Sequence, residues 1–589
     1  MSTLTKYSVM RLMSFTAPED HHYRKRQETT NTDGVIVETA AKEGAARSSQ
    51  HERVRASFAA LPPAVDVLLV GCGPVGATIA NLLARYGVHV LIVDKSTEVS
   101  MARRAIELDD EALRILQLAG IGDCDFETSA IPYVRMRSPK LGQVGQINSA
   151  SRLDGYPKPV TFYQHELERC LRARLERYDC VHIAPGVELG SFTEEGDHVL
   201  ASLELDRGRT HVVRARYLVG ADGAYSLVRQ TIGPHFWGQT FAEKWLIAAA
   251  RHFSRPADDI EFISHHRRPN RYMVGRSGSE RWQLMLRPDE RRENMKSEVR
   301  IREMAAPSGN PEDTMIERKA VYRFRTRTLI ASNRGRVFFA GDGAHIRPPS
   351  VSRGLAAGLR DAANLCWKLA WVVQGRADSR ILDTYDEERR PREKAITKLA
   401  RFMRKLVTPR NGGIALWTHG QLQLSPPVLP LRAQPEESQI KPKKPTGRGV
   451  FVKGRSPTKL VRGVVIGQGR VRGSDGQTRP SDEVLGQGLA LIGFGTDARA
   501  SLDSSEAAAF ARAGGSIVQI AHRGERPHAA RHDSWEDLDG VFLPRLVPVG
   551  WAVVVRPDKT VVHDGPATDA SRLVRESLSL LGQHCWVMQ

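Results

Sequence analysis

Long apolar runs are missing from this sequence of 589 residues. No stretch of about 18 consecutive apolar residues occurs, so we expect no membrane-spanning helix. Cysteine is scarce as well, because the six cysteines are widely spaced, form no Cys-x-x-Cys pair and follow no apolar signal segment. These absences predict a soluble protein in a reduced, cytoplasmic setting, and they give no indication of a metal site.

Basic residues outnumber acidic ones and give a formal net charge of +19. One hypothesis that follows from this charge is nucleic-acid binding. The 86 basic residues are nevertheless scattered and stand mostly as arginines beside acidic or apolar neighbours. Only short clusters occur, such as residues 24–26 and 441–444, and both lie in segments that are typical of loops. We therefore predict no nucleic-acid partner and expect the positive charge to favour an anionic substrate or cofactor.

The chain is longer than one hydrophobic core usually organises, so several domains are expected. A polar start, an early β-α-β pattern, a middle region of short alternating strands and a proline-rich stretch mark the boundaries. The sequence predicts a disordered extension at 1–63, a nucleotide-binding domain in two parts at 64–180 and 336–404, a mixed strand-rich region at 181–335, a linker at 405–460 and a small α/β domain at 461–589.

The first chemical signal is the sequence Gly-Cys-Gly-Pro-Val-Gly at residues 71–76. It follows an apolar, β-branched run at 65–70 and precedes a helical pattern at 75–86 and a second apolar run at 88–93. In such a unit the glycines allow a tight turn, and the helix N-terminus faces a pyrophosphate. Asp94 ends the second strand, where a carboxylate can accept hydrogen bonds from a ribose. This context predicts binding of a dinucleotide.

Two further segments place an aspartate beside glycine after an apolar run. The first is Tyr-Leu-Val-Gly-Ala-Asp-Gly-Ala at residues 217–224, and the other is Val-Phe-Phe-Ala-Gly-Asp-Gly-Ala-His at residues 337–345. In each, glycine permits close backbone approach, while Asp222 or Asp342 supplies an acceptor for hydroxyl groups. Either segment alone could be an Asp-Gly turn in a loop. Their occurrence in this order after the glycine-rich motif indicates one shared site.

Together the three segments make the chain similar to the FAD-dependent aromatic hydroxylases, the single-component group that includes p-hydroxybenzoate hydroxylase, over residues 64–589. The resemblance is closest to the 3-(3-hydroxyphenyl)propionate hydroxylase branch. It implies a Rossmann-like FAD-binding domain, an inserted sheet-rich substrate domain within the mixed region at 181–335 that also carries the Asp-Gly motif, and a C-terminal thioredoxin-like α/β domain. It also implies that the FAD contacts fall on Gly71, Gly73, Pro74, Val75, Gly76, Asp94, Lys95, Arg104, Gln164, Asp222, Gly341, Asp342, Pro349 and Gly354.

The chemistry that this resemblance implies is hydroxylation of a small phenolic compound in aromatic catabolism. NADH or NADPH would reduce FAD, and O2 would then form a flavin C4a-hydroperoxide that transfers one oxygen atom to the ring. The resemblance favours NADH, but the sequence alone does not decide between the two nicotinamide cofactors. This interpretation involves no membrane, and a homo-oligomer stays open.

One segment departs from the family pattern near the expected flavin ring. After Pro348 and Pro349 the family usually has Gly-Gln-Gly and then an asparagine, whereas residues 352–356 here are Ser-Arg-Gly-Leu-Ala. Two interpretations of Arg353 stay open. Its charge could stabilise anionic reduced flavin, or its side chain could point to solvent.

No catalytic base stands out, and the catalytic residues stay unknown at this point. His345 is attractive, but it belongs to the third motif, so a structural role is favoured. A tyrosine, a histidine or a water chain in the middle region could deprotonate the substrate. Residues 361–369 and 382–391 also match the family, and we interpret them as packing and helix-end signals.

Two rival hypotheses remain. A flavin halogenase or reductase would share the scaffold, although no two tryptophans stand two residues apart as in the halogenase signature. The second hypothesis is a flavin-binding protein without turnover that acts through its C-terminal domain as an interaction module. The altered segment at 352–356 is the reason to keep this hypothesis. The C-terminal domain has Cys585 as its only cysteine, so we predict a packing or interface role for it and not dithiol exchange.

Overall fold

The computed structural model describes residues 61–582 except for one long internal segment and several short ones. The segments outside the description are 101–104, 123–124, 139–141, 149–151, 205–207, 234–235, 253–258, 264–267, 275–278, 288, 291–294, 296, 307–313, 330, 347–353, 408–447 and 526–532. The predicted N-terminal extension therefore lies almost wholly outside the described residues. The same holds for most of the predicted linker and for Arg104, Pro349 and Arg353.

Eight strands form the first sheet, and its centre is parallel. Strand Ala64–Val70 pairs in parallel with Val90–Asp94 on one side and with Thr210–Gly220 on the other. Val337–Phe339 in turn runs parallel to the end of Thr210–Gly220. The strands are apolar and buried on both faces where they lie side by side, at residues 67–70, 90–93, 217–220 and 337–339, whereas the first half of Thr210–Gly220 alternates between exposed and buried residues. The other strands of this sheet are Val181–Pro185, Glu188–Glu195, His198–Glu204 and Asn333–Arg334.

The helices of this part of the chain pack into one core with the sheet. They span Pro74–Arg85, Asp110–Leu118, Gln164–Leu175, Leu227–Ile232, Gly354–Val373 and Thr384–Val407. Pro74 opens the first of them, because its fixed φ and its missing N–H suit the first position of a helix. Gly354–Val373 is buried along almost its whole length, which explains why its sequence is so rich in alanine, leucine and tryptophan.

The apolar spacing of residues 105–120 predicts one helix, but the structure divides this range into a strand and a shorter helix. Glu107–Asp109 forms a short strand, and the helix begins only after it. Asp109 caps that helix, because its carboxylate accepts a hydrogen bond of 3.0 Å from the N–H of Ala112. The strand pairs with Pro159–Phe162, which also pairs with Thr128–Ala130. A partner so distant in sequence cannot be recognised from local spacing.

The second sheet, which we call the middle sheet, also has eight strands. In chain order they are Tyr133–Ser138, Gly142–Asn148, Phe236–His252, Asp259–Ile263, Asn270–Val274, Ser279–Leu286, Thr314–Leu329 and His345–Ile346. Trp282 and Leu284 pack against Ile301 and Met304 of the helix Glu298–Ala305. One face of the middle sheet is therefore apolar and covered, and alternate residues point to its other face. A separate pair of short strands is formed by Arg152–Leu153 and Tyr156–Pro157.

A third sheet of seven strands forms the C-terminal part. Its strands are Arg470–Gly473, Thr478–Pro480, Ala490–Phe494, Ser516–Ala521, Ser534–Asp537, Trp551–Val555 and Val561–Pro566, and its helices are Ser481–Val484, Ser504–Arg512 and Ala570–Ser579. The three central strands are parallel, and antiparallel strands flank them on both sides. Leu491 and Val554 belong to the same core as Trp371, so one face of this sheet packs on the first domain.

The architecture is mixed α/β with several sheets, which confirms the predicted α/β class, while the thioredoxin-like character of the C-terminal domain stays a prediction. The mixed region at 181–335 is shared between two sheets, because its first strands extend the first sheet and its later strands build the middle sheet. Within the part of the chain that the structure describes, no helix is long and apolar enough to cross a membrane.

Candidate active site

Three strands of the first sheet end side by side, and each is followed by one of the three motifs. Val70 and Phe339 both pair with Gly220. The hydrogen bonds continue past the strand ends: the N–H of Ala221 donates to the carbonyl of Val70 at 2.8 Å, and that of Ala340 donates to the carbonyl of Gly220 at 3.0 Å. The motifs therefore meet at the carboxyl edge, where open α/β sheets bind their ligands.

The turn at residues 71–76 depends on the absence of side chains. Gly71 has a φ of +100°, and a Cβ there would lie 2.6 Å from the carbonyl oxygen of Ala221. A Cβ on Gly76 would lie 1.8 Å from the carbonyl oxygen of Gly71, whereas one on Gly73 would meet nothing within 4 Å. The backbone is thus tightly packed behind the turn and open in front of it, as a bound pyrophosphate requires.

Asp94 ends its strand with the carboxylate directed at the glycine turn. Its Oδ2 accepts a hydrogen bond of 2.7 Å from the N–H of Cys72, and its Oδ1 accepts one of 2.8 Å from the N–H of Ser96. An ionised carboxylate has about four lone-pair positions, so it can still accept bonds from a ribose. Lys95 is different, because 75% of its side chain is exposed and its Nζ lies 3.9 Å from Glu188. The structure places Lys95 at the surface.

Asp222 carries a buried acceptor that no described residue satisfies. Its Oδ2 accepts a hydrogen bond of 3.1 Å from the N–H of Val228, but its Oδ1 is buried without a hydrogen-bond partner among the residues that the structure describes. Burial raises the pKa of Asp222 above its usual range. A Cβ built on Gly343 would lie 3.6 Å from this Oδ1, so the carboxylate faces the third motif. A ligand with a hydroxyl or amide donor at this edge would satisfy the acceptor.

Arg229 ties the second motif to the third. Its Nη1 donates to the carbonyl of Gly343 at 2.9 Å, and its Nη2 donates to the carbonyl of Ala224 at 2.6 Å. Burial lowers the pKa of Arg229, and Asp222 and Asp342 oppose that effect. The guanidinium therefore fixes two loops of the site relative to each other.

The third motif is a tight turn, Gly341–Gly343, that lies against the first motif and against the helix Gly354–Val373, which we call the long helix. Gly341 has a φ of +60°, and a Cβ there would lie 3.2 Å from Cγ2 of Val75. A Cβ on Gly354, the first residue of the long helix, would lie 3.7 Å from Oδ1 of Asp342. The predicted residues Val75, Gly341, Asp342 and Gly354 are thus neighbours in space.

Gln164 is the remaining predicted site residue that the structure describes. It is buried at the start of the helix Gln164–Leu175, and its Oε1 accepts a hydrogen bond of 2.8 Å from the N–H of Ala105. This bond holds the segment that leads into the strand Glu107–Asp109. Gln164 therefore supports the chain next to Arg104.

His345 belongs to a buried cluster that the sequence did not predict. Its Nε2 lies 2.7 Å from Oδ2 of Asp361, and Arg389 donates to Asp361 at 2.8 Å and to Glu393 at 3.0 Å. Burial alone would raise the pKa of Asp361, but His345 and Arg389 outweigh it and hold that pKa well below its usual range. Asp361 also accepts the N–H of Gly341 at 3.0 Å, so the cluster supports the third motif. The sequence signal was the family match at 361–369 and 382–391.

The same cluster includes donors of the kind that bind metals. His345, Asp361 and Glu393 place ligand atoms within 4.8 Å of one another, the one such group among the residues that the structure describes. The guanidinium of Arg389 already donates to both carboxylates, so a positive charge is present where an ion would sit. We assign no metal to this cluster.

The face of the middle sheet that lies opposite the helix Glu298–Ala305 is polar at its centre. Arg271 and Gln283 lie opposite each other on neighbouring strands, and Arg281 shares their face two residues before Gln283. Arg271 donates to Glu107 at 2.9 Å, so this face turns toward the strand Glu107–Asp109. Gln283 is only 1% exposed, and within the described ranges its Oε1 has no hydrogen-bond partner. These residues make a buried polar surface next to the segment that Gln164 holds.

The residues at the carboxyl edge fit FAD. The turn at 71–76 leaves open space in front of a helix N-terminus, which suits a pyrophosphate. Asp94 and Asp222 offer carboxylate acceptors, and the buried Oδ1 of Asp222 lacks a donor in the protein alone. Asp342 follows a glycine turn packed against Val75, where a polyhydroxyl chain could approach closely.

Comparison with known proteins gives two sequence profiles and many relatives. A profile described as FAD binding domain matches residues 64–400, and one described as HcaD C-terminal domain matches residues 463–580. A 3-(3-hydroxy-phenyl)propionate/3-hydroxycinnamic acid hydroxylase of Burkholderia vietnamiensis is 32% identical over 507 residues, which cover 84% of this chain and 93% of the relative. A hydroxylase with the same two substrates in its name, from Escherichia coli, is 28% identical over 481 residues, covering 81% of this chain and 86% of the relative.

Solved structures share the fold. The flavin-dependent monooxygenase PieE, in complex with FAD and substrate, superposes with a TM-score of 0.68 at 21% identity, covering 88% of this chain and 99% of PieE. Aklavinone-11 hydroxylase, in a ternary complex with FAD and aklavinone, gives a TM-score of 0.68 at 21% identity, covering 87% of this chain and 99% of that protein. At these identities the likeness shows the arrangement of the chain and not the ligand.

Proposed function

This chain belongs to the FAD-dependent aromatic hydroxylase family, and we propose that its substrate is a phenolic acid similar to 3-(3-hydroxyphenyl)propionate. It would use NADH or NADPH and O2 to add one hydroxyl group to the ring, releasing water. The observation that carries this proposal is the meeting of three motifs, after Val70, Gly220 and Phe339, at one edge of the first sheet.

The cofactor would be held mainly by backbone and carboxylates. The open turn around Gly73 and the helix that begins at Pro74 would hold the pyrophosphate, and Asp94 would hold a ribose. Asp222 and Asp342 would accept hydroxyl or amide groups nearer the ring. Bound FAD would supply the redox chemistry with the nicotinamide cofactor and O2, so the protein's tasks are to bind, to orient and to keep water out.

The substrate would be recognised by the polar face of the middle sheet. Arg271 and Arg281 put positive charge on that face, and Gln283 offers a buried amide between them. Guanidinium and amide N–H groups suit a carboxylate, and a buried amide oxygen suits a hydroxyl donor. A substrate with both a carboxylate and a phenolic hydroxyl matches these groups. No described residue is assigned as a catalytic base.

The C-terminal domain would have a packing role. Three parallel strands between antiparallel flanks support the thioredoxin-like fold that the family resemblance implies. The described part of this domain contains no cysteine, so dithiol exchange has no residues there. Its apolar face joins the core around Trp371, which favours a structural role over that of a free interaction module.

The test is NADH and NADPH oxidation by the FAD-loaded full-length protein. We expect 3-(3-hydroxyphenyl)propionate to accelerate oxidation and to yield a hydroxylated product, while 3-phenylpropionate, which lacks the ring hydroxyl, yields none. Hydrogen peroxide measured in parallel shows how tightly oxidation is coupled to product formation. A protein that binds FAD but never oxidises either nicotinamide cofactor faster with any phenolic acid would instead be a flavin-binding protein without turnover.

A further inference from the structure

The helix Thr384–Val407 lies between the C-terminal part and the flavin-binding turn. Two adjacent residues of this helix, Glu388 and Arg389, form hydrogen bonds to the C-terminal part and to the flavin side, respectively. Glu388 accepts a hydrogen bond of 2.8 Å from Arg556 of the C-terminal part and another of 2.8 Å from the N–H of Val450, which precedes that part in the chain. Arg389 donates to Asp361 at 2.8 Å. One helix thus connects the two regions through buried charges.

The contact on the C-terminal side is buried and charged. Arg556 is 2% exposed, and its guanidinium is shared between Glu388 and Asp558. Burial alone would raise the pKa of Glu388, but Arg556 and Lys368 outweigh it and hold that pKa well below its usual range. Asn364 donates to the same carboxylate at 2.6 Å. Removing one member of such a set leaves an uncompensated buried charge, so the set fixes the position of the helix.

The contact on the flavin side reaches the backbone of the third motif. Arg389 donates to Asp361, and Asp361 accepts the N–H of Gly341 at 3.0 Å. Gly341 has a φ of +60° and directly precedes Asp342. A second bond, 3.2 Å from Arg389 to the carbonyl of Ala357, ties the same guanidinium to the long helix. A shift of Arg389 would therefore move the turn that presents Asp342.

We propose that the C-terminal part positions the turn Gly341–Gly343 for FAD through the pairs Arg556–Glu388 and Arg389–Asp361. Because Glu388 and Arg389 are consecutive in one rigid helix, displacement of the first also displaces the second. Arg556 and Asp361 are thus positioning residues for the cofactor. The proposal rests on the proposed function only in that this turn binds FAD.

The experiment measures the dissociation constant of FAD for full-length apoprotein, from the quenching of flavin fluorescence on binding. The variants are Arg556→Met, Asp361→Asn and the double variant. We expect each single change to weaken FAD binding about fivefold or more, and the double change to weaken it by less than the product of the two. The visible circular dichroism of bound flavin should change in both single variants.

The matched control is Arg462→Met. Arg462 forms a 2.7 Å ion pair with the buried Asp564 inside the C-terminal part, and neither residue bonds to the described side chains of the helix Thr384–Val407, residues 384–395. We expect this variant to unfold more easily while binding FAD as the wild type does. If Arg556→Met fails to fold, Glu388→Gln breaks the same link with almost no change in size and should weaken FAD binding in the same direction.

Three results would overturn the proposal. They are an unchanged FAD constant in both Arg556→Met and Glu388→Gln, equal weakening in Arg462→Met, and full multiplication of the two effects in the double variant. A wild-type protein that binds no FAD would remove the proposed function itself, which is a different outcome. The two failures are therefore distinguishable.

Discussion

The two sides of the candidate active site are built from different parts of the chain. The flavin side consists of glycine turns and backbone bonds, where Gly71 and Gly76 leave no room for a Cβ. The substrate side that we propose consists of side chains on a sheet face, such as Arg271 and Gln283, which alternate with apolar core residues. We therefore expect substitutions of the flavin-side glycines to abolish FAD binding. Substitutions on the substrate side should change which substrate is preferred while the protein still folds.

The largest expected effect is on the flavin side. Gly76→Ala places a Cβ 1.8 Å from a backbone oxygen of Gly71, which cannot move without opening the turn. We expect FAD binding to weaken by more than about 100-fold, because backbone strain and lost phosphate contacts together cost several kcal/mol. The flavin content of purified protein and a titration with FAD measure this.

The control for Gly76→Ala is Gly122→Ala. A Cβ on Gly122 would meet only Oδ2 of Asp125, at an ordinary 3.7 Å. This variant should bind FAD as the wild type does. Normal FAD binding by Gly76→Ala would contradict the view that close backbone packing defines the flavin side.

The next effect concerns the stability of the contact between the C-terminal part and the helix Asp110–Leu118. Arg114 donates to both carboxylate oxygens of Asp482, at 2.5 and 2.6 Å, and both residues are buried. Arg114→Met leaves Asp482 charged and unpaired, so we expect the free energy of unfolding to fall by about 3–5 kcal/mol. Denaturant unfolding of the apoprotein measures it.

A second variant separates charge from packing at this contact. Arg114→Met with Asp482→Asn removes both charges of the pair and should recover part of the lost free energy of unfolding, because Asp154 and the buried Lys559 still lose a charge partner. If the double variant is as unstable as Arg114→Met, the loss does not come from the stranded carboxylate of Asp482.

A smaller effect is expected on the substrate side. Gln283→Leu keeps a similar size on the buried face but removes the amide. We expect KM for 3-(3-hydroxyphenyl)propionate to rise about 10-fold, because a hydrogen bond to a charged group is worth roughly 1.5–3 kcal/mol. The dissociation constant of FAD should not change. Steady-state kinetics and FAD titration on the same sample measure both.

Tyr272→Phe is the matched control on the opposite face of the same sheet. The Tyr272 hydroxyl donates to Glu280 at 2.7 Å, away from the polar face. Its loss should cost about 1.5–3 kcal/mol of stability, because the acceptor is a carboxylate, and leave KM unchanged. A larger rise of KM in Tyr272→Phe than in Gln283→Leu would reverse the assignment of the substrate face.

Sequence reasoning succeeds where the signal is local and fails where it depends on partners far along the chain. The glycine turn and the helix after it follow from short-range spacing, and the predicted strands and helices differ from the observed ones by a few residues. The buried cluster of His345, Asp361 and Arg389 joins residues that are 16 and 28 positions apart, so spacing alone could not assemble it. The polar middle-sheet face was also missed, because arginine and glutamine in a strand usually indicate exposure.

Substitution of Lys95 should have the smallest effect on FAD binding. It tests directly whether the family resemblance or the observed geometry describes this residue correctly. The family pattern implies that Lys95 contacts FAD, whereas its side chain is 75% exposed and pairs with Glu188 only at 3.9 Å. An exposed charge is screened by water, so we expect Lys95→Ala to change the FAD dissociation constant by about twofold at most, with the difference shrinking at high salt. Titrations at low and high ionic strength measure this. A tenfold loss that persists in salt would mean that Lys95 closes over the cofactor, and the flavin side would then depend on a long side chain as well as on its backbone.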